Sequence, residues 1–215
     1  MSISSEIERL NKELPSTVKL VAVSKFNPSE AIMEAYQAGQ RIFGESRPQE
    51  LLQKVQELPR DIQWHFIGHL QTNKLKMVLP YASLIHSVDS ERLLMEINKY
   101  AVKNNLKVKC LLELFVAQEE TKQGFSPEEI YSILEAASAG DYQHIRFKGI
   151  MGMATFTDDE ECIRADFARI SDYFAYLKDL FPELERSIRN AEFKYSTASD
   201  GRMGFRMTLP LGRKI

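Results

Sequence analysis

The most constraining feature of this chain is an alternation of two kinds of segment. Short runs rich in β-branched and aromatic residues are separated, along the whole length, by longer amphipathic runs. The short runs predict strands over 18–24, 41–43, 63–67, 84–87, 107–115, 144–148 and 192–196. Helical periodicity predicts helices over 3–13, 28–38, 47–57, 70–79, 90–104, 127–139 and 159–180. Alternation of this kind implies a parallel sheet with right-handed crossovers. The choice lies between a (β/α)8 TIM-type barrel and a doubly wound sheet. The barrel is preferred, because no Gly-rich dinucleotide loop follows the first strand.

Helix boundaries are well signed. Asn27-Pro28-Ser29-Glu30 reads as a capping side chain, a proline at the first helical position and a glutamate at the third. Ser126-Pro127-Glu128-Glu129 repeats that grammar, and Thr157-Asp158-Asp159-Glu160 is a third version. Gly39 and Gly140 stand where two helices should stop. One helical face is expected to carry Ile32, Ala35 and Tyr36, and another Phe167, Ile170, Phe174 and Leu177.

Composition removes several function classes. The 215 residues are 44% hydrophobic and 27% charged with a net charge of −2, which fits one globular domain over 1–215. Near-neutrality without a basic stripe argues against nucleic acid. No run of 18 apolar residues points to a membrane span. The first segment carries Glu6, Arg9, Lys12 and Glu13 in place of a signal-peptide apolar core, so a cytoplasmic location is expected. Cys110 and Cys162 are too few for a disulfide scaffold or a zinc site.

Chemistry in parallel α/β folds gathers at the carboxyl ends of the strands. Those ends deliver Lys25, then Gly44, Glu45 and Ser46, then His69, Gln71, Thr72 and Asn73. Later strands offer His86 and Asp89, Met151 and Met153, and Ser196 and Ser199. A lysine ending an apolar strand loses hydration there, which favours the neutral, nucleophilic amine able to bond an aldehyde. Position alone favours the plainer reading, a lysine whose stem packs while its ammonium reaches water.

Three segments narrow the choice: Val21-Ala22-Val23-Ser24-Lys25, Phe43-Gly44-Glu45-Ser46, and Trp64-His65-Phe66-Ile67-Gly68-His69-Leu70-Gln71-Thr72-Asn73-Lys74. With His86-Ser87-Val88-Asp89, Lys122-Gln123-Gly124 and Lys148-Gly149-Ile150-Met151-Gly152-Met153, they resemble the pyridoxal phosphate homeostasis protein family over residues 1 to 199. Members of that family look like the barrel domain of alanine racemase standing alone. The resemblance implies a fold of that type, pyridoxal 5′-phosphate (PLP) as cofactor, and Lys25 holding it as a Schiff base. Val23, His65 and Met153 would then line the cofactor, Ser46 would stand beside it where the family usually has Asn, and Ser196 would open the phosphate loop. His69 replaces a usual proline. No catalytic residue and no metal site is implied.

The pattern departs after Ser196. Ser196-Thr197-Ala198-Ser199-Asp200-Gly201 lacks both methionines of the family's Ser-Met-Gly-Met-Ser loop and is one residue shorter. The family continues through a helix to an eighth strand carrying an Arg toward the pyridine nitrogen and a Gly-Thr pair for the phosphate. Barrels of this type run to about 250 residues, and here the tail over 197–215 is rich in Gly and Pro, with Met207-Thr208-Leu209 its only strand pattern. Seven strands are therefore readable, and the eighth is expected to be absent or aberrant. An irregular filling, a covering partner and a disturbed reading frame near residue 197 all account for this tail.

The remaining signals read as structure. A histidine inside a strand, as His65 is, is as readily a satisfied core residue as a cofactor contact. Met151 reads as core, while Met153 suits the ring pocket. The acidic run Asp158-Asp159-Glu160-Glu161 suits a helix start. Lys74 and Lys76 suit a solvated face.

The expected function is intracellular PLP homeostasis, with PLP held on Lys25 and no substrate turned over. Racemization needs a second acid–base group on the opposite face, and the second domain that supplies it in the related enzymes is not expected within 215 residues. Alternatives are a PLP-dependent amino-acid racemase or decarboxylase using Lys25 as base, and a degenerate barrel acting as an interaction module. Expected partners are PLP and PLP-dependent apoenzymes, with the chain a monomer.

Overall fold

β1 (Val18–Val23), β2 (Ile42–Glu45), β3 (Gln63–Phe66), β4 (Ala82–Val88), β5 (Val108–Glu113) and β6 (Ile145–Met153) lie side by side in sequence order, each parallel to the last. This is seen in a computed structural model that describes residues 2–16, 18–116, 123–181, 191–197 and 203–210, with the last two segments described as backbone only. β7 (Ala191–Thr197) runs parallel to β1 on its other side. The ring closes through β8 (Met203–Pro210), which is antiparallel to both β6 and β7. The fold is thus an α/β barrel whose first six strands form a curled parallel sheet. Its eighth strand is present but aberrant: it runs against its neighbours and extends beyond the pattern at 207–209.

The helices are α1 (Ile3–Glu13), α2 (Ser29–Gln37), α3 (Pro48–Glu57), α4 (Leu75–Val78), α5 (Glu91–Lys103), α6 (Pro127–Ser138) and α7 (Glu160–Leu180). Their signed starts are mostly realised. Ser126 Oγ accepts from the Glu129 N–H at 3.2 Å while Glu129 Oε2 accepts from the Ser126 N–H at 2.7 Å, a complete capping box. Asp159 caps α7 through the N–H groups of Glu161 and Cys162. Gly39 at φ +95° and Gly140 at φ +109° take the left-handed conformation that ends α2 and α6.

Three local readings require correction. Asn27 does not cap α2; the capping position is Pro28, and the Asn27 amide donates instead to the Lys25 carbonyl at 3.2 Å. The pattern over 70–79 divides into a 3-10 turn at Thr72–Lys74 and the single turn of α4. β6 runs on past Lys148 to Met153, because Gly149 at φ +141° absorbs an irregular register against β5 rather than ending the strand.

Side chains alternate across the sheet. Leu20, Phe43, Trp64, Ile85, Cys110 and Phe147 belong to the large core between sheet and helices, with Ile32, Ala35, Ile170, Phe174 and Leu177 from the helical faces. Leu84, Leu111 and Met151, with half-buried Met153, form a separate cluster inside the barrel. Among the described residues no helix is long and apolar enough to cross a membrane.

Candidate functional site at the mouth of the barrel

Lys25 is placed by a tight turn immediately beyond β1. The Asn27 N–H donates to the Ser24 carbonyl at 3.0 Å, so Lys25 and Phe26 are the two central residues. A turn with its third residue at positive φ normally selects glycine; here Phe26, 65% exposed, occupies it at φ +63°. The Arg47 guanidinium lies over that ring, 4.3 Å from its centre, and Lys25 Nζ lies 5.9 Å from it. Lys25 itself is half-buried.

The turn is fastened to β2 and α3. Ser24 Oγ donates to Glu45 Oε1 at 2.6 Å, and Lys54 Nζ donates to the same oxygen at 2.7 Å and to the Ser24 carbonyl at 2.8 Å. Lys54 and Glu45 side chains are 7% and 0% exposed, so this ion pair is cut off from water. Burial pushes the Glu45 carboxyl up, against the opposing pull of Lys54 and Ser24. The second Glu45 oxygen is buried with no hydrogen-bond partner among the described residues. Glu50 completes the group: its Oε2 accepts from the Phe26 N–H at 2.9 Å and lies 3.3 Å from Lys54 Nζ.

Inside the barrel, strand register builds a layer. Val23 is opposite Gly44, Gly44 opposite His65, and His65 opposite Leu84. Register partners in a parallel pair share a face, and Leu84 belongs to the interior cluster, so Val23 and His65 face inward. A side chain at Gly44 would meet Ile67 Cδ1 at 3.0 Å and Val21 Cγ1 at 3.3 Å. His65 is buried, and its Nδ1 is 2.9 Å from Nε2 of buried His86, one nitrogen donating and the other accepting. Ser46, two residues past Gly44 and half-buried, packs against Gly68, where a Cβ would come within 2.3 Å of the Ser46 carbonyl oxygen. Met153 closes the interior cluster from the end of β6.

The structure therefore brings Lys25, Val23, Ser46 and His65 to neighbouring strand ends, with Met153 on the same rim. Ser196 follows Tyr195, the partner of Ala22, so its backbone stands beside the end of β1; its side chain, and all of Ser199, lie outside the described residues. Lys122 is outside them as well. His69 Nδ1 lies 2.9 Å from Asp89 Oδ2, which joins the loops after β3 and β4. Among the described residues no group of three or more His, Cys, Asp or Glu side chains could hold a metal. Sequence reasoning missed Lys54 and Glu50. The available signal was their i, i+4 spacing on α3, one turn beyond the strand-end Glu45.

Comparison with known proteins agrees with this fold. The family model described as alanine racemase, N-terminal domain, matches residues 2–198. A pyridoxal phosphate homeostasis protein of Aquifex aeolicus is 36% identical over 191 residues, covering 86% of this chain and 80% of that protein. PipY of Synechococcus elongatus PCC7942, solved without PLP, superposes with a TM-score of 0.80 at 33% identity, covering 88% of this chain and 86% of that one. The same protein with PLP bound gives a TM-score of 0.75 at 32% identity over the same shares. By sequence and by fold alike, the chain belongs to the alanine racemase N-terminal domain family, and within it to the pyridoxal phosphate homeostasis proteins.

Proposed function

We propose that this chain binds PLP at the barrel mouth through Lys25 and serves cytoplasmic PLP homeostasis as a monomer, handing the cofactor to PLP-dependent apoenzymes without turning over a substrate. The observation that carries the reading is the placement of Lys25, a half-buried lysine at the corner of a fastened turn just beyond Val23 of an inward-facing layer. The residues present fit such a cofactor. Gly44 puts no side chain of its own between Val23 and His65, and Met153 offers an apolar wall at the rim. Ser46 supplies a hydroxyl at the same edge, and the backbone of Ser196 stands next to the end of β1.

The chemistry the cofactor supplies when bound is an aldehyde carbon, to which an unprotonated lysine amine bonds with loss of water. The chain's own part is to hold that amine, to face one side of the ring with Val23 and His65, and to offer Ser46 and Ser196 as hydrogen-bonding groups. The relatives' name and the PLP-bound state of PipY support the binding reading.

Titration of the full chain with PLP tests it. A visible absorbance band is expected in the wild type and not in Lys25→Ala; a wild type without a Lys25-dependent band overturns it. Absence of turnover is read separately, by following the α-proton of amino acids in deuterated water. Exchange faster than with free PLP would establish an enzyme instead.

A further inference from the structure

Resting on that reading of Lys25, we propose that Glu50 and Lys54 of α3 are positioning residues, which fix the backbone on both sides of Lys25 so that its amine is presented at one place over the mouth. On the amino-terminal side the Ser24 carbonyl accepts from Lys54 Nζ at 2.8 Å. On the carboxyl-terminal side the Phe26 N–H donates to Glu50 Oε2 at 2.9 Å. Lys25 is the single residue between these two ties.

The ties act as one device. Lys54 Nζ is 3.3 Å from Glu50 Oε2 and 2.7 Å from Glu45 Oε1, so the cation fastening one flank also orients the carboxylate fastening the other. Only 7% of the Lys54 side chain is exposed, which limits competition from water and strengthens each charge-assisted bond. The turn needs such support, since a bulky residue at positive φ persists only where its surroundings over-determine it. Glu45 follows inward-facing Gly44 in β2 and so faces outward toward α3. The device therefore works from the helix side of the sheet, acting on the bound group through Lys25.

The test uses the full chain and PLP. Glu50→Ala removes the acceptor for the Phe26 N–H, whereas Glu50→Gln keeps an oxygen there. Titration by visible absorbance is expected to give an apparent affinity about tenfold weaker for Glu50→Ala, with Glu50→Gln recovering most of the loss. Borohydride trapping with peptide mapping is expected to show less cofactor bonded to Lys25 in Glu50→Ala at equal total PLP. Should Glu50→Ala fail to fold, Lys54→Met combined with Glu45→Gln removes the other tie without stranding a buried charge, and the same weakening is expected.

Affinity and trapping equal to wild type in the folded variants would overturn the proposal and leave the reading of Lys25 standing. A lowered melting temperature with unchanged trapping would do the same, reducing Glu50 and Lys54 to structural roles. A wild type lacking any Lys25-dependent band overturns the reading itself, and the proposal with it.

Discussion

Lys54 Nζ sits 2.7 Å from Glu45 Oε1, with the two side chains 7% and 0% exposed. Such a pair is costly to break from one side only. Lys54→Met leaves the Glu45 carboxylate buried without its cation and should lower stability by about 3–5 kcal/mol. Adding Glu45→Gln should restore most of the loss, because the burial that pushes the Glu45 carboxyl up no longer acts on a charge. Urea unfolding of the two single variants and the double variant measures the coupling directly.

Glu50 gives the turn a pH dependence. Partial burial pushes its carboxyl up, but the Phe26 N–H, Lys54 and Arg47 outweigh that and hold it below the ordinary 4.5. A carboxyl depressed in the folded state contributes stability above its unfolded value and loses it as pH falls through the folded one. The melting-temperature gap between wild type and Glu50→Gln should be widest above about pH 4.5 and close progressively in stronger acid. A gap that widens with acid would refute this assignment.

Two glycines near the strand ends should respond differently to alanine. At Gly68 the added Cβ meets the Ser46 carbonyl oxygen at 2.3 Å and Ser46 Cα at 2.7 Å, so backbone must move. At Gly44 the nearest atoms are the side-chain tips of Ile67 and Val21, at 3.0 and 3.3 Å. Gly68→Ala is expected to cost about 1–3 kcal/mol and to displace Ser46, with Gly44→Ala milder. Denaturation midpoints rank the two, and PLP titration reports the displacement of Ser46.

The capping box of α6 offers a test away from the site. Ser126→Ala removes the acceptor for the Glu129 N–H and should cost about 1 kcal/mol, read by thermal unfolding with PLP affinity unchanged.

The two thiols should separate cleanly. Cys110 is fully buried in β5, and burial pushes its thiol far up, whereas Cys162 is half-buried in the first turn of α7. Iodoacetamide should modify Cys162 in the native protein and reach Cys110 only in denaturant, as intact-mass measurement will show.

Most of the fold was legible because its signals are local. β1 and α1, α5 and α6 follow directly from apolar period, and α6 also from its capping residue Ser126. Errors arose where a local signal had two meanings. The strand pattern stops at Lys148, whereas Gly149 adjusts the register and β6 continues, and Asn27 reads as a cap but bonds back to Lys25. The orientation of β8 depends on which strands flank it, which its own sequence does not state. For the site, strand ends were legible as positions, so the placement of Lys25, Ser46 and Met153 at those ends could be read from the sequence. Lys54 was not, because its partner Glu45 lies on another element and a lysine on a helix ordinarily reads as solvated.

The clamp on Lys25 is anchored in the helix layer rather than in the barrel lumen. On the proposed role, remodelling α3 would retune cofactor retention without changing Lys25, Val23, Ser46 or His65. For an engineer seeking tighter capture or faster release of the cofactor, positions 50 and 54 are set-screws reached from outside the pocket.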